Sequence, residues 1–192
     1  ISESYVGIKG GRVSYLGTNP ISSKNLIKLD SEYIVPGYID GHVHIESSLM
    51  TPSRFAETVV PRGTCCIVAD PHEIANVRGV DGIRFMMRDS LKTQLRVYFM
   101  IPSCVPATHL ETSGAEIGLK EIKKLRRLRR VLGLGEVMNF QAVINREKAI
   151  LEKIRACRGM VIDGHAPGLR SEELRAYVSA GIGSDHESVA ED

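Results

Sequence analysis

The chain alternates between short apolar runs that stop at glycine or at an ionisable residue and longer segments whose apolar positions recur at helical spacing. At the N-terminal end the runs Tyr5-Val6-Gly7-Ile8-Lys9 and Arg12-Val13-Ser14-Tyr15-Leu16 flank Gly10-Gly11, the signature of a two-residue hairpin turn. Leu26 to Val35 predicts further β-type segments, and Pro36-Gly37 then breaks the pattern. Residues 1–35 are therefore expected to form part of a small β domain, and residues 36–192 a second region. That region opens with a buried strand over Tyr38 to Val43. Thr51-Pro52 supplies a cap and an N1 proline for a first helix, followed by a strand at Thr64 to Ala69. A helix near Val80 to Ser90, a strand at Arg96 to Ile101, a helix from about Ala115 to Arg130 and a strand at Val131 to Gly135 continue the series. A helix at Arg146 to Cys157 behind an Asn145 cap, a strand ending near His165, a helix from Ser171 to Ala180 and a strand at Gly181 to Ser184 complete it. Strands and helices alternating in this way predict an α/β fold, with a parallel sheet and right-handed crossovers.

Composition narrows the architecture. With 192 residues, 43% hydrophobic and 25% charged, the chain has an ordinary globular balance and is expected to fold rather than to be disordered. A complete (β/α)8 barrel typically needs about 250 residues, so the expectation is a partial TIM-like (β/α)8 barrel of about six βα units, a fragment or truncated product. Lysine plus arginine number 25 against 23 acidic residues, a net charge of +2 that implies no dedicated anionic partner. The densest basic run, Lys120 to Arg130, shares a segment with Ile117, Ile122, Leu125, Leu128 and Leu132 at roughly helical spacing. With no aromatic residue in the run, it reads as the solvated face of an amphipathic helix rather than a nucleic-acid patch. Cys65, Cys66, Cys104 and Cys157 form no Cys-x-x-Cys pair, no run approaches the ~20 apolar residues of a membrane helix, and signal-peptide blocks are absent. A reduced, cytoplasmic setting follows.

Candidate chemistry gathers at the predicted strand ends. His42 and His44 are spaced i, i+2 in an extended segment, so their imidazoles project to one side and can share an ion. Two imidazoles rarely complete a shell, and the chain offers more ligands in the same form: Glu136 after Leu132-Gly133-Leu134-Gly135, His165 after Val161-Ile162-Asp163-Gly164, and His186 after Gly183-Ser184-Asp185. Functional residues of a (β/α)8 barrel sit at the C-terminal ends of its strands, which is where all of these fall. Asp70-Pro71-His72-Glu73 follows the second predicted strand; Asp70, His72 and Glu73 are placed to hold an extra metal or to support the ligands, or else Pro71 turns the chain and Asp70 caps a helix. Glu111, Thr112 and Ser113 lie after the third strand, placed to touch a substrate or to cap the Ala115 helix. His44-Ile45-Glu46 superficially matches the His-x-Glu of single-zinc nucleobase deaminases, but their Pro-Cys-x-x-Cys partner is absent.

Several of these segments carry a resemblance. Pro36-Gly37-Tyr38-Ile39-Asp40-Gly41-His42-Val43-His44-Ile45-Glu46-Ser47-Ser48, Asp70-Pro71-His72-Glu73-Ile74-Ala75-Asn76-Val77 and Pro102-Ser103-Cys104-Val105-Pro106-Ala107 are its first part. Glu111-Thr112-Ser113-Gly114, Gly133-Leu134-Gly135-Glu136-Val137-Met138-Asn139, Asp163-Gly164-His165-Ala166-Pro167-Gly168 and Ser184-Asp185-His186-Glu187 are its second. Together they resemble the amidohydrolase superfamily and, within it, the adenine deaminases of microbial purine salvage. The resemblance implies a pair of divalent metals, manganese or iron in preference to zinc. It matches His42 and His44 to the ligands of one ion, Glu136 to the carboxylate bridging both, and His165 and His186 to the second. A glutamate rather than a carboxylated lysine at the bridge favours the adenine deaminase branch. An eighth-strand aspartate that ligates metal and carries the proton has no match within these residues, which leaves Glu187 and His186 as its substitutes. The implied reaction is hydrolytic deamination of adenine to hypoxanthine and ammonia. Its alternatives are another amidohydrolase acting on a cyclic amide, or a truncated metal-binding protein without activity of its own. The expected partner is a small molecule, with no nucleic acid or membrane, and the open sheet of a partial barrel predicts self-association or a complementing C-terminal segment.

Overall fold

The structure, a computed structural model, describes residues 4–30, 32–108 and 110–186. The chain divides into two compact units that meet between Pro36 and Gly37. In the first, β1 (Tyr5–Lys9) and β2 (Arg12–Gly17) pair antiparallel. Gly10 and Gly11 both take positive φ, 59° and 73°, which a two-residue hairpin turn requires and which only glycine adopts freely. The β-type segments expected over Leu26 to Val35 do not form: the described residues there join no strand. Leu26, Ile27, Tyr33, Ile34 and Val35 are all exposed, and β-branched or aromatic residues favour a strand only when a pleated face packs against something.

The second unit contains, among the described residues, a sheet of six parallel strands in sequential order: β3 (Tyr38–Val43), β4 (Thr64–Ala69), β5 (Arg96–Pro102), β6 (Val131–Val137), β7 (Val161–Gly164) and β8 (Ser184–Asp185). The sheet curls into a half-barrel with helices over its outer side, the partial TIM-like form that alternating elements predict. β4 and β5 are near-continuous apolar runs, as strands covered on both faces must be. The crossovers are α1 (Pro52–Val59), α2 (His72–Asp89), α3 (Leu119–Leu125), α4 (Phe140–Ile144), α5 (Lys148–Ala156) and α6 (Ser171–Ser179). One buried cluster joins Ile101, Leu134 and Ile162 of the sheet to Ile122, Ile150, Ile154 and Tyr177 of α3, α5 and α6. A second joins Ile67, Val97 and Phe99 to Ala56 of α1 and Met86 of α2. No helix among the described residues is long and apolar enough to cross a membrane.

Four helix expectations need correction. The helix expected from Val80 is the second of two stretches of α2: Gly79, at φ 56°, breaks the helix, and a first stretch that the pattern did not predict begins at His72. α3 is shorter than the expected Ala115 to Arg130: Gly114 N–H and Ile117 N–H are committed to the carbonyls of Asn76 and Val105, and Arg130 takes φ 71° to lead into β6. Asn145 caps no helix start. It ends α4, which opens on Asn139 with its side chain accepting from Ala142 N–H at 3.1 Å, and Arg146 at φ 58° turns the chain into α5 behind Glu147. Finally, Thr51 stands at the cap position of α1 with an extended backbone, but its side chain makes no capping bond. The acceptor comes instead from Asp89 at the end of α2, whose Oδ2 receives Ser53 N–H at 2.8 Å while Oδ1 receives Lys92 Nζ at 2.9 Å.

Candidate metal centre

The C-terminal ends of β3, β4, β6, β7 and β8 converge on the Glu136 carboxylate. Glu136 is buried, 5% exposed, in a unit where an unpaired charge would be costly. Its Oε1 lies 3.2 Å from His42 Nε2, 3.1 Å from His44 Nε2, 3.1 Å from His186 Nε2 and 3.8 Å from His165 Nδ1. Strand geometry delivers this. His42 is in β3, and His44 follows it with only Val43 between, so both rings turn to one side. Glu136 is the penultimate residue of β6, His165 follows β7, and His186 follows β8.

The backbone around Glu136 is unusual. Its φ is 33°, in the left-handed region that a glutamate avoids, and the register of β6 with β7 shifts between Leu134 and Val137. The shape is held from outside. Ser103 donates from Oγ to the Glu136 carbonyl at 2.7 Å, Met138 N–H reaches the same oxygen at 2.6 Å, and Lys153 Nζ donates to the Ser103 carbonyl at 2.8 Å. On the far side Tyr177 donates to the Val137 carbonyl at 2.6 Å and accepts from His165 N–H at 3.0 Å, so one buried phenol ties the ends of β6 and β7 together. Burial lifts that phenol above its ordinary range.

Protonation follows from these contacts. His44 Nδ1 lies 2.7 Å from the Asp70 carbonyl, which can only accept, so Nδ1 carries the hydrogen. In a neutral ring Nε2 would then present a lone pair to a carboxylate oxygen 3.1 Å away, two acceptors face to face. A cation has to lie between them, a proton or a metal. Without metal the Glu136 and Glu73 carboxylates push the His44 imidazole up to about 11, and Asp163 with Glu136 pushes His42 up to about 9. Burial raises the Glu136 carboxyl, but His42 and His44 outweigh it and hold it well below the carboxylate range. Two further pairs of ring nitrogens approach closely, His42 Nε2 and His44 Nε2 at 3.1 Å and His165 Nδ1 and His186 Nε2 at 3.2 Å. Lone pairs crowded this tightly around one carboxylate suit a divalent ion. The donor atoms of His42, His44 and Glu136 lie within 4.8 Å of one another, as do those of Glu136, His165 and His186. The two half-sites share Oε1.

Asp70 and His72 stand behind Glu136. Both are buried, with Oδ1 of Asp70 2.6 Å from Nδ1 of His72 and the same nitrogen 3.3 Å from Glu136 Oε2. Burial opposes charge on His72, but Asp70 and Glu136 outweigh it and raise the ring above its ordinary value. Gly135 makes the room: a Cβ there would meet the Asp70 carboxylate. Asp70 is thus not a helix cap; its N–H bonds the Val43 carbonyl, joining β4 to β3. Glu73 lies at the opening of α2, with Oε2 3.4 Å from His44 Nδ1 and Oε1 receiving Ser47 Oγ at 2.7 Å; burial raises it, but these donors bring it down to about 2.

The sequence reading also singled out residues that the structure does not bring here. Glu111 is exposed on the loop after β5, and Ser113 donates to the Ala115 carbonyl where no helix starts, so neither caps one. Glu187 lies outside the described residues. Conversely, Asp163, Ser103, Lys153 and Tyr177 take part here without having been site candidates in the sequence. Asp163 carried a readable signal, since it precedes His165 by the same i, i+2 spacing that drew attention to His42 and His44. The contacts of Ser103, Lys153 and Tyr177 run between distant segments and leave no local pattern.

A model of the Amidohydrolase family matches residues 33–192. Among curated proteins the chain is 50% identical over 184 residues to an adenine deaminase of Archaeoglobus fulgidus, covering 96% of this chain and 32% of that protein. It is 52% identical over 162 residues to an adenine deaminase of Methanothermobacter thermautotrophicus, covering 83% and 30%. With an adenine deaminase of Clostridium acetobutylicum it shares 49% over 174 residues, covering 90% and 30%. The chain spans about a third of the length of the curated relatives it matches.

Proposed function

The chain belongs to the amidohydrolase family, and we propose that it carries the metal-holding part of a site that hydrolyses adenine to hypoxanthine and ammonia. The observation behind this reading is the convergence of four imidazoles on one oxygen of buried Glu136; the substrate is argued from the relatives' names alone. His42 and His44 would hold one divalent ion, His165 and His186 a second, with Glu136 common to both. Imidazole and carboxylate donors suit manganese or iron, and also zinc. A bound divalent pair would supply the Lewis acidity that brings the pKa of water down toward ~7.

The chain's own residues do the remainder. Glu136 keeps its negative charge at the focus of the rings, and Asp70 with His72 steadies its second oxygen. Water adds across the ring carbon–nitrogen double bond, its oxygen to the carbon bearing the amine and one proton to the ring nitrogen; the bond to the exocyclic amine then breaks, and water's second proton leaves with that nitrogen as ammonia. His186 and Glu187 are the candidate proton carriers, and Glu111 and Ser113 the candidates for purine contact. The four free cysteines agree with a reducing cytoplasm.

Ammonia release from adenine by the metal-loaded protein, run beside dihydroorotate and similar rings, tests the substrate. Turnover of a cyclic amide with none of adenine would replace it. The one-third coverage supports a second reading, that these residues bind metal but need the rest of the relatives' length to act. Activity that appears only when that remainder is added favours it.

A further inference from the structure

Asp163, in β7, touches two of the four imidazoles, and they come from opposite margins of the sheet. His42 belongs to β3 and His186 follows β8, the two edge strands among the described residues, yet their rings stack at 3.9 Å with planes only 17° apart. Each ring presents Nε2 to Glu136 Oε1, at 3.2 and 3.1 Å, and Nδ1 to Asp163 Oδ2, at 3.3 and 3.5 Å. Two parallel rings are thus held edge-on between two carboxylates. The rotation of Asp163 is itself fixed, because Oδ1 receives Ser184 Oγ at 2.7 Å and leaves Oδ2 aimed at the rings.

We propose that Asp163 is a positioning residue that sets tautomer and ring plane for one imidazole in each half of the metal centre. An ionised carboxylate can only accept, so a ring nitrogen facing Oδ2 carries its hydrogen and the opposite nitrogen keeps the lone pair a metal needs. His44 reaches the same tautomer through the Asp70 carbonyl, and His165 faces the centre with Nδ1 instead, so His42 and His186 alone share this support. Removing one carboxylate therefore disturbs both halves together, through the two rings that it orients. The inference rests on the metal reading above.

The test compares the unsubstituted protein with Asp163→Asn, which keeps the shape, and Asp163→Ala. Metal-free samples are titrated with Zn2+ against a competing chelator, and Co2+-loaded samples are followed by their visible ligand-field bands. Unfolding midpoints of the metal-free proteins serve as the control for structural damage. The expected result is affinity weakened about 10–100-fold for both ions in Asp163→Asn, shifted Co2+ bands, and a metal-free midpoint close to that of the parent. Two ions held at parental affinity by both variants, or loss confined to a single ion, overturns the role of Asp163. Failure of the unsubstituted protein to take up any ion overturns the metal reading itself, a distinguishable result.

Discussion

Gly135→Ala puts the packing behind Glu136 to a direct test. A Cβ at this position lies 2.7 Å from Asp70 Cγ and 2.7 Å from Met100 Cβ, and nearer still to Asp70 Oδ2; ordinary contact begins at 3.4 Å. The carboxylate therefore has to retreat by at least 0.7 Å, and Met100 sits in a buried stretch of β5 with little freedom to give way. Overpacking of this kind costs about 1–3 kcal/mol. Displacing Asp70 also loosens its 2.6 Å contact with His72, and breaking a buried pair outright costs about 3–5 kcal/mol, so a partial break brings the expected loss to roughly 3 kcal/mol. For a domain of this size each kcal/mol lowers the midpoint by about 2–4 °C, giving a drop of roughly 6–12 °C in thermal unfolding followed by circular dichroism. Gly41→Ala is the internal control. That glycine has no atom within 4 Å of its would-be Cβ and needs no positive φ, so alanine should change stability by under about 1 kcal/mol. If Gly135→Ala matches Gly41→Ala, the account of Asp70 wedged against β6 is wrong.

Three other substitutions probe separate parts of the argument. Glu136→Gln should abolish loading of two metals while circular dichroism stays that of the parent, and elemental analysis finding two ions per chain would refute the shared-ligand role. Tyr177→Phe leaves the Val137 carbonyl and His165 N–H without their common partner, with an expected loss of about 1–3 kcal/mol in urea unfolding; an unchanged midpoint would show that the phenol is not the tie between β6 and β7. Asp89→Ala removes the acceptor at the start of α1 and should cost about 1–2 kcal/mol at pH 7. Burial raises the Asp89 carboxyl, but Lys92 and Ser53 outweigh it and hold it below the usual range. A depressed folded-state value stabilises above the unfolded value of about 3.9 and loses that contribution as pH falls toward the folded one. The gap between parent and variant should accordingly narrow in acid, and a gap that widens below pH 4 would refute the assignment.

Strands β4 and β5 were legible because each is an apolar run closed by proline or a charge, and the candidate site residues stood out because they fall at strand ends; β3 was placed by Pro36-Gly37 and the spacing of His42 and His44, but the burial expected of it is not found, since Tyr38 and Ile39 are exposed. Helix boundaries were less readable. The start of α2 at His72 depends on Asp70 being buried against β6, and the shortness of α3 on bonds that Gly114 and Ile117 make to remote carbonyls. Leu26 to Val35 misled because strand propensity names a preference for a packed face without supplying one. Asp163 was hidden for a different reason. Its importance lies in facing rings contributed by β3 and by the residue after β8, a relation that exists only once the sheet has curled.

The stacking of His42 on His186 has a mechanical corollary. Among the described residues β3 and β8 border the sheet, where fraying would begin, and side chains from the two are latched together at the rim. Any cation seated among those rings would act as a hasp, so that its binding energy becomes resistance to uncurling and ion loss reads out as a loosened rim.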